Sequence, residues 1–76
     1  MRKLIEYVAQ SLVDEPSAVQ VREIRNDRNV LALELLVASE DFGKVIGRQG
    51  RVAKAMRTLL RAGGVREGRH TSLEIN

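Results

Sequence analysis

Cysteine and tryptophan are absent from the 76 residues, and proline, histidine, tyrosine and phenylalanine occur once each. Without cysteine there are no disulfides, thiolate metal sites or cysteine nucleophiles, so the fold tolerates a reducing compartment and the cytoplasm is the expected location. The lone histidine, His70, has no partner with which to ligate a metal or act as a base. Tyr7 and Phe42 are too few aromatics for a sheet-borne base-stacking platform. The opening "MRKLIEYVAQSLVDEP" is interrupted by Glu6, Gln10 and Asp14, so it lacks the unbroken apolar core of a signal peptide or membrane span. Nucleotide P-loop, dinucleotide-binding, zinc and nucleophile-elbow spacings are missing as well. The acids lie mainly away from the glycines, so no catalytic constellation assembles, and neither enzyme activity nor a cofactor or metal is expected.

The chain has the make-up of one small globular domain, 43% hydrophobic and 30% charged. Its charge is segregated. Between Gly43 and Arg69 stand eight basic residues (Lys44, Arg48, Arg51, Lys54, Arg57, Arg61, Arg66 and Arg69) against the single acid Glu67, whereas the remainder is net acidic. Such segregation points to a polyanionic partner. A solubilising surface is the plainer alternative, and for Lys54, Arg57 and Arg61 it is a solvated helix face.

Leu4, Ile5, Val8, Ala9, Leu12 and Val13 recur at helical spacing, and Asp14-Glu15-Pro16 ends that helix. "AVQVREIR" alternates until Ile24 falls out of phase, which predicts a strand with a bulge near Glu23. "NDRN" supplies a turn. In "VLALELLVA", Leu31, Leu33, Leu35 and Val37 share one face of a central strand. Ser39, Glu40 and Asp41 predict a capped helix start, with the acids at the positive end of the dipole. Phe42, Val45 and Ile46 are expected to pack before Gly47 stops that short helix. The pattern resumes from Arg51 with Val52, Ala53, Met56, Leu59 and Leu60, and Gly63-Gly64 reads as its C-terminal cap. Thr71, Leu73 and Ile75 form a last strand. The order α-β-β-α-α-β predicts an α+β layer pair with helices on one face of a three-stranded sheet.

"GKVIGRQGRVAKAMR" places two glycines three residues apart where two helices should meet. Glycine can adopt backbone conformations closed to other residues, and it leaves no side chain between the backbone and a ligand. The second helix adds unpaired N–H groups and its positive dipole end at the same place. A phosphodiester backbone fits such a corner. No Trp or Phe lies on the apolar stripe, which argues against a membrane-surface helix.

"VIGRQGRVAKAMR" resembles the signature of a KH domain, whose Ile-Gly-x-x-Gly loop clamps about four nucleotides of single-stranded RNA or DNA. The element order resembles the prokaryotic type II form with its mixed three-stranded sheet. From "LIEYVAQSLVD" through "SEDFGKVIGRQGRVAKAMRTLL" to "REGRHTSLEI", the chain resembles the small bacterial single-KH proteins of the KhpA (YlqC) family. The resemblance implies one KH domain over residues 1–76, with a GxxG loop at 47–50 and a variable loop at about 63–69. It implies RNA contacts from Gly47, Arg48, Gln49 and Gly50, from Lys44 and Arg51 at the shoulders, and from Lys54. One of Val45 and Ile46 faces the base groove and the other the core. Arg57, Arg66 and Arg69 are secondary contacts, and Met56, Leu59 and Leu60 a dimer face. The family further implies a homodimer or a heterodimer with a larger KH-containing protein, and a role as an RNA chaperone or regulator in cell shape and division. Single-stranded DNA is an alternative ligand. A KH-shaped interaction module with little nucleic-acid affinity is the alternative function.

Overall fold

Leu31, Leu33 and Leu35 are 4%, 1% and 0% exposed, while Val30, Ala32, Glu34 and Leu36 between them are half-buried. That period of two is what a strand covered fully on one face produces. In the computed structural model, which describes residues 2–76, this strand is β2 (Val30–Leu36). It lies between β1 (Gln20–Asn26), antiparallel to it, and β3 (His70–Ile75), parallel to it. Helices α1 (Arg2–Leu12), α2 (Phe42–Ile46) and α3 (Arg51–Arg66) complete the expected α-β-β-α-α-β order. Ile5 and Ala9 of α1, Val45 of α2, and Ala53, Met56 and Leu60 of α3 meet the leucines of β2 in one core. The α+β architecture of a type II KH domain, with its mixed sheet, is the one observed.

The pairing of β1 with β2 passes from Glu23↔Leu33 to Arg25↔Ala32, so Ile24 is the extra residue of a bulge and is 57% exposed. Asp27 forms the turn after β1. Its carboxylate accepts the N–H groups of Asn29 and Val30, both at 2.8 Å, and the Arg25 guanidinium at 2.6 Å. On α1 only part of the expected stripe is covered. Val8 and Val13 pack partly against the core, but Leu4, at the edge of the buried face, and Leu12, the last residue of the helix, remain about two-fifths exposed.

Two expected caps are corrected. Gly63 and Gly64 do not end the long helix, which continues to Arg66, and the connection to β3 is Glu67–Arg69 rather than 63 to 69. A Cβ on Gly64 would collide with the Thr71 methyl and stand 2.9 Å from the Arg69 carbonyl oxygen, so Gly64 is required by the close approach of α3 to β3. The turn itself falls at Gly68, with φ +71°. Nor does Ser39 cap a helix with its hydroxyl. Ser39–Asp41 is a single 3-10 turn that makes no side-chain cap bond, and Asp41 is 2% exposed.

Asp41 instead accepts the backbone N–H groups of Asp14 at 3.2 Å and Glu15 at 3.1 Å. These donors lie just beyond α1, where the helix has ended before Pro16 and no backbone partner follows. The carboxylate therefore fastens the exit of α1 to the entrance of α2. Burial pushes its pKa up, but the two N–H donors and the Lys44 ammonium outweigh burial and hold it below the ordinary aspartate value.

Because the folded-state pKa is depressed, the stability conferred by Asp41 is complete above the ordinary aspartate range and is lost as pH falls through its folded value. Asp41→Asn should therefore melt earlier than the parent at neutral pH, with the difference shrinking as both are acidified; melting curves from pH 7 to pH 2.5 check this. The glycines make a second contrast. A Cβ added at Gly43 would meet nothing within 4 Å, so Gly43→Ala should gain roughly 0.5–1 kcal/mol from helix propensity. Gly64→Ala should instead lose about 1–3 kcal/mol through overpacking against β3, measured by urea denaturation.

Candidate nucleic-acid interface

At the corner between α2 and α3 the backbone turns within four residues. Gly47 leaves helical geometry (φ 78°, ψ 171°) while its N–H still bonds the Gly43 carbonyl at 2.9 Å. Arg48–Gly50 then form a single 3-10 turn. The Gly50 N–H reaches Gly47 O at 3.1 Å and the Arg51 N–H reaches Arg48 O. Gln49 and Gly50 are both left-handed, at φ 57° and 74°.

The two glycines serve different needs. A Cβ on Gly47 would lie 2.5 Å from Val52 Cγ2 and 2.9 Å from the Val52 backbone nitrogen, so the first turn of α3 occupies the space a side chain would need. Gly50 has nothing within 4 Å of that position. Its bare backbone faces open space beside the N-terminus of α3, where orphan N–H groups and the helix dipole favour an anion.

Around this corner the basic side chains divide by what already holds them. Arg48, Arg51 and Lys54 are exposed, and so is Gln49, whose Oε1 lies 3.4 Å from Arg51 Nη2. Lys44 bonds Asp14 and lies 3.6 Å from Asp41; the Asp14 bond is the main reason its pKa is raised, against a smaller opposing effect of burial. Val45 is fully buried and Ile46 half-buried, so Val45 is the core member of the pair and Ile46 the one at the surface beside the loop.

Farther along α3, Arg57 donates through Nε and Nη2 to the Leu73 carbonyl at 3.2 and 3.1 Å. A cavity of about 310 Å³ opens there between α3 and β3, with Arg57, Arg61, Leu60 and Leu73 among its walls. Arg66 is exposed at the end of α3. Arg69 is not: its guanidinium bonds Asn26 Oδ1 at 2.6 Å and pairs with Glu67, and its Nε is buried without a partner. It fastens the β1–β2 turn to the start of β3 and has no free face to offer as the far wall of a groove.

The expected dimer face is also corrected. Met56 and Leu60 are 1% exposed, on the same stripe as Ala53 and Gly64, and can touch nothing outside the domain. Leu59, one residue farther round, is 45% exposed, and Val65 is 70% exposed. Sequence reasoning missed two features of the site. Asp41 looked like a helix-start acid, although the backbone left bare by Pro16 signalled a need for an acceptor. The Arg57 bond to Leu73 left no signal, because its acceptor is a main-chain carbonyl. Among the described residues, no three acidic or histidine side chains cluster as a metal site, and no helix is long and apolar enough to cross a membrane.

A family model described as KhpA/KhpB, KH domain, matches residues 2–75. The RNA-binding protein KhpA of Clostridium acetobutylicum is 51% identical over 75 residues, which are 99% of each chain. The proteins of that name from Clostridium perfringens and Caldanaerobacter subterraneus subsp. tengcongensis are each 47% identical, again over 99% of each chain. No solved structure matches the chain significantly. The glycine corner, the mixed sheet and a likeness that runs from end to end agree, and the chain belongs to the KhpA/KhpB family of KH-domain proteins.

Proposed function

We propose that this domain binds single-stranded RNA, with the phosphates on the Gly47–Gly50 corner and the bases against the apolar surface beside Ile46. The observation that carries the reading is the open backbone of Gly50 at the N-terminus of α3, ringed by Arg48, Arg51 and Lys54. Relatives spanning the same length carry the name RNA-binding protein, and the family is of a non-enzymatic kind. Lys44 contributes less than its position suggests, because a phosphate must compete with Asp14 for it. Arg57 and Arg66 lie farther along α3 as secondary contacts. One KH unit takes about four nucleotides, too few to single out one transcript. Action as an RNA chaperone or regulator would then rest on pairing, with a second copy or with a larger KH-containing protein.

A pairing face is favoured by Leu59, an exposed leucine roughly opposite the basic stripe of Lys54, Arg57 and Arg61 on the helical circle. Pairing there leaves the glycine corner open. It is also the basis of the second reading, a KH-shaped interaction module with little nucleic-acid affinity of its own.

Fluorescence anisotropy with a short single-stranded RNA separates these. The parent's affinity should fall with salt at a log–log slope of roughly 2 to 3 if three or four phosphates are neutralised. The double variant Arg48→Asp/Gln49→Asp keeps both glycines, and Asp tolerates the left-handed position. It should stay folded and lose most of the affinity; equal binding by both proteins would make the corner structural only. A matched single-stranded DNA tests whether the 2′-hydroxyl matters. Sedimentation of Leu59→Arg should show a mass reduced from dimer to monomer, and an unchanged mass removes Leu59 from the interface.

A further inference from the structure

Lys44 stands one turn before Gly47 and differs from the other cations around the glycine corner in being held by acids. Its ammonium bonds the Asp14 carboxylate and lies 3.6 Å from Asp41 Oδ1, whereas Arg48, Arg51 and Lys54 meet no acidic side chain among the described residues. The two aspartates are not equivalent. Asp41 is buried, and its oxygens are taken by the backbone N–H groups of Asp14 and Glu15, at 3.2 and 3.1 Å. The side chain of Asp14 is 81% exposed, and Lys44 is the group it bonds. The exit of α1 is thus fastened to α2 by the backbone of Asp14, and its carboxylate is left over for Lys44.

An exposed ion pair contributes little to stability, because solvent screens it and two flexible side chains must be ordered to form it. Here part of that ordering is done in advance. The bond to Asp41 fixes the Asp14 backbone beside α2 and keeps its carboxylate within reach of Lys44. The same pairing is the first cause of the raised Lys44 pKa, so the ammonium keeps its charge throughout the neutral range. Asp41 lies beyond hydrogen-bond distance of Lys44 and offsets its charge without occupying a donor. Asp14 is therefore the acceptor that an incoming anion has to displace. A phosphate oxygen reaching for Lys44 meets it both as a rival and as a like charge.

We propose that Asp14 is an intramolecular competitor for Lys44, an autoinhibitory contact that withholds this cation from the RNA phosphate and so limits the affinity of the glycine corner. The proposal rests on the RNA-binding reading and adds to it a residue outside the corner that sets how tightly the corner binds.

The test is the affinity of the whole chain for labelled heptauridine, measured by fluorescence anisotropy at several salt concentrations. Asp14→Asn keeps the backbone N–H that bonds Asp41 and removes only the charge. It should melt close to the parent and bind about two- to fivefold tighter, the factor by which an exposed ion pair resists a competitor. Its log–log salt slope should steepen by up to about 0.7, as Lys44 comes to neutralise one more phosphate. The gain should vanish in the Lys44→Gln background, shown folded by circular dichroism, because no cation is left to release. On the unmodified protein, which needs no variant to fold, saturating heptauridine should shift the NMR signal of the Asp14 carboxyl carbon together with the amides of Arg48 to Arg51. Equal or weaker binding by folded Asp14→Asn overturns the proposal and leaves the RNA-binding reading standing. A gain that survives Lys44→Gln also overturns it, making Asp14 a general repulsive charge, as does an Asp14 carboxyl signal that stays still while the corner amides move. Failure of both the parent and Asp14→Asn to bind removes the proposal and the reading together.

Discussion

Parallel pairing of β2 with β3 is the constraint on which the other features depend. Parallel neighbours cannot be joined by a tight turn, because the chain must first travel back along the whole length of the strand it has just left. The return is made by α3, whose 16 residues span about 24 Å, enough to cover a strand of six or seven residues. Between the end of β2 and the start of α3 the chain has to reverse within a small space, and α2 with the Gly47–Gly50 turn makes that reversal. The glycine corner is therefore demanded by topology, whatever it binds. Gly47 shows the topological demand, packed against Val52 with no room for a side chain, whereas Gly50 shows what the corner leaves over.

The basic charge that marks the second half of the chain is not displayed uniformly. Lys44 answers two aspartates, Arg69 answers Asn26 and Glu67, and Arg57 answers a carbonyl. Most of these bonds reach across elements that are remote in sequence, and they fix distances that the core alone would leave loose. The remaining cations of this segment, Arg48, Arg51, Lys54, Arg61 and Arg66, have no such acidic partner among the described residues and are exposed to solvent. Free cations at the surface contribute little to stability but add directly to the attraction of a polyanion. A raw count of lysine and arginine overstates the interface for this reason, and the acids that pair with Lys44 show which part of the count to discount.

Most of the fold was legible because it is written in periodicity. The alternation of Leu31, Leu33 and Leu35, the phase slip at Ile24 and the helical recurrence from Val52 to Leu60 each have one dominant structural solution. What was misread involves residues that can serve two ends. Glycine at 63 and 64 signals a helix stop by propensity, yet at Gly64 the lack of a side chain is needed for contact with Thr71, and no local pattern separates the two uses. Asp41 beside Ser39 and Glu40 has the local look of a helix start, while its true partners are 26 and 27 residues away. At the candidate site, the loop and its exposed flanks could be read from spacing alone. The order of burial within Val45-Ile46 and Met56–Leu60 could not, because it depends on the rotation of a helix about its axis, which sequence fixes only to within a residue.

That rotation gives α3 three distinct faces. Ala53, Met56, Leu60 and Gly64 point into the core, Lys54, Arg57 and Arg61 run along one flank, and Leu59 lies on the far side. At about 100° per residue, adjacent positions such as Leu59 and Leu60 fall on different faces and carry different consequences when changed. Two of these faces meet β3. Gly64 sets how closely the helix end approaches Thr71, and Arg57 sets its spacing from Leu73. The width of the groove between them is thus fixed at two points by a missing side chain and by a bridging one. The same contacts that close the fold onto its last strand also shape the cavity between that strand and α3.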